Sequence, residues 1–368
     1  MKAALCTNFN APLEIADITL APPRAGEVEV TLAACAICHS DLHFIEGAWG
    51  GSLPAVYGHE AAGYVTGLGD GVSAYRMGQP VLVTLIRACG SCQCCADGRP
   101  VICEGGGEGI SPLSLPDGGA ITQGMKTGAF AEKVVVDASQ LAPLPDDMPL
   151  DVACLLACGV ITGVGAVFNT AAMPAGSTAV VIGTGGVGLN AIQGARIAGA
   201  RRIIAMDVAP EKLDAAQEFG ATDGVLAMAP DARDQVLALT GGRGADFVFV
   251  TVGAVVAYEQ ALGLCAPGGA IIMAGMTGSD DFMRLNPMMV AYQEQRLIGS
   301  KMGGTVLRRD IPRLIELYRQ GRLMLDGLIS NRYPLERINE AIADTAKGGT
   351  RRNVIVFDAL TKGAPHAA

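Results

Sequence analysis

Charge is scarce in this chain. Asp, Glu, Lys and Arg make up only 17% of its 368 residues, and no run of Lys or Arg is longer than a pair. With a net charge of -9 there is no basic stripe to neutralise a phosphate backbone, which argues against a nucleic-acid partner. A small basic pocket for one cofactor phosphate is still compatible. The N-terminus, Met1-Lys2-Ala3-Ala4-Leu5, lacks the apolar core of an export signal, and no membrane-spanning helix or membrane partner is expected. Without export, the 11 cysteines read as metal ligands in a reducing cytoplasm rather than as a disulfide framework.

Apolar residues, by contrast, are plentiful: half the chain is hydrophobic and 49 residues are Gly. That is enough to bury a large core, and the length predicts two domains. Up to about residue 150 the sequence reads as short β segments. Glu27-Val28-Glu29-Val30-Thr31-Leu32 alternates with the period of a half-buried strand, and Pro80–Thr84 and Glu132–Val136 are further candidates. The glycine-rich stretch 89–128 is expected to be irregular. From about residue 177 strands alternate with helices: Ser177–Ile182, Arg202–Met206, Ala245–Val250, Ala270–Ala274 and Leu297–Ser300 as strands, Gly186–Ala198 and Pro210–Phe219 as helices. This rhythm predicts a parallel sheet with helices on both faces. A helix at Ile311–Gln320 and a strand at Asn353–Phe357 depart from it and are expected to return to the first domain. The end, from Lys362 to Ala368, reads as a frayed tail.

Gly183-Thr184-Gly185-Gly186-Val187-Gly188 matches G-x-G-x-x-G. In a glycine-rich chain the match is weak alone, but it closes an apolar strand and opens a helix. Gly185 would let the backbone approach a pyrophosphate, whose charge the helix N-terminus stabilises. Asp207 closes the next strand, where it would accept ribose hydroxyls and repel a 2′-phosphate, favouring NAD over NADP.

Cys89, Cys92, Cys95 and Cys103 follow C-x2-C-x2-C-x7-C among polar neighbours, enough thiolate to close a tetrahedral zinc site. Cys94 breaks no ligand spacing and is expected to be a non-ligand thiol. A second set is incomplete: Cys38, His59 and Cys158. Three protein ligands leave a fourth position for water or substrate, the mark of catalytic zinc. Each is ordinary alone; their occurrence beside a closed zinc lobe and a dinucleotide loop is what singles them out. Cys6, Cys35, Cys154 and Cys265 lie in apolar runs and are expected in the core.

On these motifs the chain resembles the zinc-dependent alcohol dehydrogenases of the medium-chain dehydrogenase/reductase superfamily, over about residues 1–358. The matching stretches are Cys38-His39-Ser40-Asp41, Gly58-His59-Glu60-Ala61-Ala62-Gly63, the cysteine lobe, Cys158-Gly159-Val160-Ile161-Thr162-Gly163, the glycine loop and Arg352. The resemblance implies an α/β fold: a GroES-like, mostly-β catalytic domain over 1–159 and 302–368, and a Rossmann NAD-binding domain over 160–301. It implies two zinc ions per chain, catalytic at Cys38, His59 and Cys158 and structural at the four lobe cysteines. Asp41 would orient His59, with Glu60 close to the metal. Ser40 would take the alcohol proton and His43 pass it to solvent. His39 and Arg352 would contact the cofactor pyrophosphate and Thr162 the nicotinamide, with Gly183, Gly185, Gly186, Val187, Gly188, Asp207 and Lys212 completing the cofactor set.

The implied reaction is reversible NAD-dependent oxidation of a small-molecule primary or secondary alcohol by a homo-oligomer, dimer or tetramer. A physiological aldehyde reductase or a polyol dehydrogenase are the alternatives within the superfamily, and a non-catalytic nucleotide-binding regulator is the alternative outside enzymes. In the glutathione-dependent formaldehyde dehydrogenase branch an acidic residue stands where this chain has Trp49, and an Arg lies in the lobe after the last zinc cysteine. Here that lobe begins Glu104-Gly105-Gly106-Gly107, without an Arg before Lys126, which disfavours a glutathione adduct. Trp49 and Leu85 are the pocket candidates; an aliphatic Leu85 leaves room for medium-sized or aromatic alcohols.

Overall fold

The computed structural model describes residues 1–105, 109–348 and 351–362. Gly106 and Gly107 of the lobe, and the expected frayed tail from residue 363 on, lie outside the described residues. Contacts divide the chain into two units, one of Met1–Cys158, Val306–Arg313 and the chain from Leu325 on, the other of Gly159–Thr305 and Leu314–Met324.

The alternating run at Glu27–Leu32 is the start of a longer strand, Glu27–Ala36, at the heart of the first unit. Its burial pattern alternates over the first six residues and then becomes continuous, because the second half is covered on both faces. This strand pairs antiparallel with Glu60–Leu68, Lys133–Asp137 and Arg352–Val356. Outward from Glu60–Leu68 come Pro80–Val83 and Leu141–Pro143. The C-terminal strand Arg352–Val356 thus lies beside Glu27–Ala36, with Val354 opposite Ala36. The described residues of 89–128 are mostly loop, holding only the four-residue helix Gln93–Ala96, a 3-10 turn at Pro100–Ile102 and another at Gly124–Lys126, and two-residue strands.

The second unit is built on six parallel strands in the order Asp223–Leu226, Arg202–Asp207, Thr178–Ile182, Ala245–Val250, Cys265–Met273, Arg296–Gly299. Every residue of Thr178–Ile182 is buried, as a central parallel strand with both faces covered should be. Helix Gly186–Ile197 follows it directly. Helix Gly159–Gly165 packs on that helix so closely that a Cβ on Gly163 would lie 2.3 Å from the Val187 carbonyl oxygen. Only glycine permits this approach, and it sets Thr162 beside the glycine loop within one unit.

Two expected elements differ in extent. The strand foreseen at Ala270–Ala274 begins at Cys265 and carries a register irregularity opposite Ala245–Phe247; Pro267-Gly268-Gly269 hid its start. The helix foreseen from Ile311 begins at Leu307, with Pro312 inside it, and it does not wholly return to the first unit as expected: from Leu314 to Met324 the chain groups with the second unit. Residues 152–195 hold no charged side chain, far beyond the ~20 residues of a membrane span. That run is split among several elements, and among the described residues no single helix is long and apolar enough to cross a membrane.

Candidate active site

Cys38 ends the approach from strand Glu27–Ala36 and caps helix His39–Ile45. The cap is closed by Asp41, whose Oδ2 accepts the Cys38 backbone N–H at 2.9 Å. Its other oxygen accepts the Gly58 N–H at 3.0 Å and lies 3.1 Å from His59 Nδ1. One buried carboxylate therefore ties Cys38 to His59 and fixes the imidazole with its proton on Nδ1 and Nε2 turned away. Cys158 follows a short 3-10 turn whose last carbonyl, at Ala157, accepts the Thr84 hydroxyl at 2.8 Å. Glu60 opens its strand next to His59.

These elements bring the ligand atoms of Cys38, His59, Glu60 and Cys158 within 4.8 Å of one another, all four residues buried. His59 Nε2 and both Glu60 carboxylate oxygens have no hydrogen-bond partner. Glu60 Oε1 is 3.2 Å from Arg352 Nη2, an ion-pair distance without hydrogen-bond geometry. Orphaned buried polar atoms cost roughly 1–3 kcal/mol each, so three of them facing two thiols call for a cation.

The titration of the group points the same way. A hydrogen bond from the Cys158 thiol holds Cys38 well below the usual thiol range, with Arg352 and His59 assisting against burial. The same bond, with burial, pushes Cys158 up. Burial opposes a charge on His59, but the Asp41 carboxylate and Cys38 outweigh it and raise the imidazole. Burial pushes Glu60 up to about 8 despite Arg352. Two hydrogen-bonded thiols beside an imidazole held by a carboxylate form a donor set that a divalent cation would complete by displacing protons.

Arg352 is buried, donating to the Ile37 carbonyl at 3.0 Å and facing Glu60. Its guanidinium thus forms one wall of the quartet. His39 is exposed and Ser40 half-buried at the start of the helix. One turn on, His43 is half-buried, with Nδ1 4.0 Å from Glu46 Oε2 and its ring 4.8 Å from that of Trp49. Trp49 also meets Phe44 edge-on at 5.2 Å. Leu85 is half-buried, next after Thr84.

The second group is local. The sulfurs of Cys89, Cys92, Cys95 and Cys103 lie within 4.8 Å of one another and are exposed or half-buried. Cys92 and Cys103 sulfurs are 3.8 Å apart, the edge length of a tetrahedron with ~2.3 Å zinc–sulfur bonds. Backbone N–H groups of Ser91 and Cys92 aim at Cys89 and bring its thiol down to about 6, while burial and neighbouring thiols push Cys95 up to about 12. Cys94 is outside this group; burial and Glu104 raise its thiol.

In the second unit, a Cβ on Gly188 would lie 1.8 Å from the Gly183 carbonyl oxygen, whereas one on Gly185 would meet nothing within 4 Å. The loop is therefore closed on its packing side and open at the N-terminus of helix Gly186–Ile197, a cradle suited to a pyrophosphate. Asp207 is buried beside it, accepting the Thr184 N–H at 2.7 Å, and Lys212 Nζ is 3.9 Å away. Buried Thr162 lies in the same unit. Sequence reasoning missed Thr84 and Thr184, hydroxyls in apolar or glycine-rich runs whose partners only the fold supplies.

Comparison with known proteins supports this assembly. Residues 24–146 match the profile of the alcohol dehydrogenase GroES-like domain and residues 186–320 that of zinc-binding dehydrogenases. An NDMA-dependent alcohol dehydrogenase of Amycolatopsis methanolica is 36% identical over 97% of this chain and 99% of its own. A class-3 alcohol dehydrogenase of Myxine glutinosa is 36% identical over 96% and 97%. The benzyl alcohol dehydrogenase of Acinetobacter calcoaceticus superposes with a TM-score of 0.91 at 26% identity, covering 97% of this chain and 99% of that one. An alcohol dehydrogenase zinc-binding domain protein of Burkholderia ambifaria does so with 0.92 at 31%, covering 97% and 98%. The chain belongs to the zinc-dependent alcohol dehydrogenases of the medium-chain dehydrogenase/reductase superfamily, with a GroES-like domain and a Rossmann-type parallel sheet.

Proposed function

We propose that this chain oxidises primary or secondary alcohols, medium-sized or aromatic ones foremost, to aldehydes or ketones with NAD and two zinc ions per chain. The observation that carries the reading is the buried quartet of Cys38, His59, Glu60 and Cys158 with its orphaned His59 Nε2. When bound, zinc lowers the pKa of an alcohol hydroxyl and the nicotinamide accepts a hydride, two electrons and one proton.

The protein's own share follows from its side chains. Cys38, His59 and Cys158 hold the catalytic ion and Cys89, Cys92, Cys95 and Cys103 the structural one. Asp41 keeps His59 in the tautomer whose Nε2 can donate its lone pair, and Glu60 sits close enough to compensate charge. Ser40 Oγ receives the hydroxyl proton and His43, half in solvent, passes it outward. His39 and Arg352 favour the cofactor phosphates, Thr162 the nicotinamide, Gly185 and the helix N-terminus the pyrophosphate, and Asp207 with Lys212 the ribose. Trp49 and Leu85 shape the alcohol pocket, a reading supported by the structural likeness to a benzyl alcohol dehydrogenase. A cytoplasmic homo-oligomer, dimer or tetramer, is proposed on the family resemblance.

The test is zinc analysis together with turnover on ethanol, benzyl alcohol and longer alcohols, using NAD, NADP or NDMA as acceptor. NDMA belongs in the series because the 36% identical relative is NDMA-dependent. Efficient benzyl alcohol turnover with NAD supports the proposal; strong preference for ethanol refutes the pocket, and turnover with NADP alone refutes the cofactor.

A further inference from the structure

Asp207 is read here as the acceptor for the adenosine ribose, yet its carboxylate already has a full set of protein donors. Oδ2 accepts the Thr184 N–H at 2.7 Å and the Thr184 hydroxyl at 3.1 Å. Oδ1 accepts the Val208 N–H at 2.8 Å and the Ala209 N–H at 3.3 Å. A carboxylate offers about four lone-pair positions, so an arriving ribose hydroxyl finds none free. One donor must yield. Three of the four are backbone N–H groups, fixed by the strand end and the glycine loop. The fourth is a hydroxyl, and its single proton has another acceptor within reach: the Lys212 carbonyl oxygen, 3.3 Å from Thr184 Oγ1.

We infer that the Thr184 hydroxyl is a stand-in for a ribose hydroxyl. It satisfies buried Asp207 in the free protein and turns to the Lys212 carbonyl when a nucleotide with a free ribose hydroxyl arrives. Thr184 is thereby a specificity-determining residue, an inference resting on the reading of Asp207 as the ribose acceptor. Binding a ribose hydroxyl exchanges one O–H donor for another, so the gain per bond is small. A 2′-phosphate brings no donor at that position and meets an already satisfied carboxylate. Removing the Thr184 hydroxyl would leave Asp207 one donor short, and the ribose would then fill a need.

The test is calorimetric titration of the full-length protein with NADH, ADP-ribose and NADPH, for wild type, Thr184→Val, Thr184→Ala and Thr184→Ser. ADP-ribose lacks the nicotinamide and confines the readout to the adenosine half. Thr184→Val, nearly isosteric, is expected to bind NADH and ADP-ribose roughly 10- to 100-fold more tightly, the scale of one hydrogen bond to a charged group. NADPH should be unchanged and Thr184→Ser should match wild type. Thr184→Ala should shift in the same direction and serves if the Val variant does not fold. Unchanged or weaker NADH binding in a folded Val or Ala variant overturns the inference, as does failure of both to fold. Wild type that binds neither NADH nor ADP-ribose overturns the NAD reading and this inference with it.

Discussion

The two cysteine-bearing groups of the first unit hold a cation's ligands by opposite means. The lobe gathers Cys89, Cys92, Cys95 and Cys103 from one short segment near the surface, where local backbone N–H groups lower the Cys89 thiol. The quartet draws Cys38, His59, Glu60 and Cys158 from three distant segments into full burial, and its thiols are tuned by one another, by His59 and by Arg352. A loop with little apolar support gains shape from a closed site. A site buried in a core already has shape, and can hold a ligand position open for chemistry.

This contrast is easiest to break at the buried site. His59→Ala removes the one imidazole of the quartet, and alcohol turnover should fall roughly 10³-fold or more, since a Lewis acid contributes several kcal/mol of charge stabilisation. Steady-state rates with NAD decide this; wild-type-like rates would refute the assignment. The lobe should respond in stability instead. Cys103→Ala should lower the thermal midpoint by roughly 5–10 °C, at 2–4 °C per kcal/mol for a domain of this size, as read by calorimetry.

Asp41→Asn sharpens the comparison, because only the buried site relies on a carboxylate behind a ligand. Metal affinity or turnover should drop about 10- to 100-fold, with lobe zinc unchanged in a chelator competition. The smallest effect is on pH dependence. In chelator-treated protein Glu60 titrates at about 8 when folded and near its ordinary 4.5 when unfolded. Between those values the folded state holds a proton that the unfolded state has lost, so stability falls as pH rises. Denaturant unfolding at pH 5 and pH 8 should show the decline, on the order of a few kcal/mol at most, and Glu60→Gln should flatten it.

The same contrast governs what could be read from the sequence. The lobe was legible because its ligands share one segment, so spacing alone carries the geometry. The glycine loop was legible for the same reason: Gly183, Gly185 and Gly188 act within one strand–helix turn. Cys38, His59 and Cys158 were each ambiguous, since what joins them is the antiparallel pairing of Glu27–Ala36 with Glu60–Leu68 and the Thr84 bond to Ala157. Their occurrence beside a closed zinc lobe and a dinucleotide loop grouped them in advance, and the resemblance then implied their roles. Thr84 and Thr184 gave no signal, because a hydroxyl's meaning lies in the acceptor it meets. In the uncharged run 152–195 the strand ending at Ile182 and the helix from Gly186 were legible, whereas the breaks before residue 177 were not, being set by turns between packed elements.

The central claim is that the two groups are separate zinc sites with separate tasks. Zinc counted per chain in purified Cys38→Ala, alongside its rate of NAD reduction with benzyl alcohol, tests it most directly. The account predicts one zinc per chain, held by the lobe, and essentially no turnover; two zinc ions with wild-type turnover would contradict it.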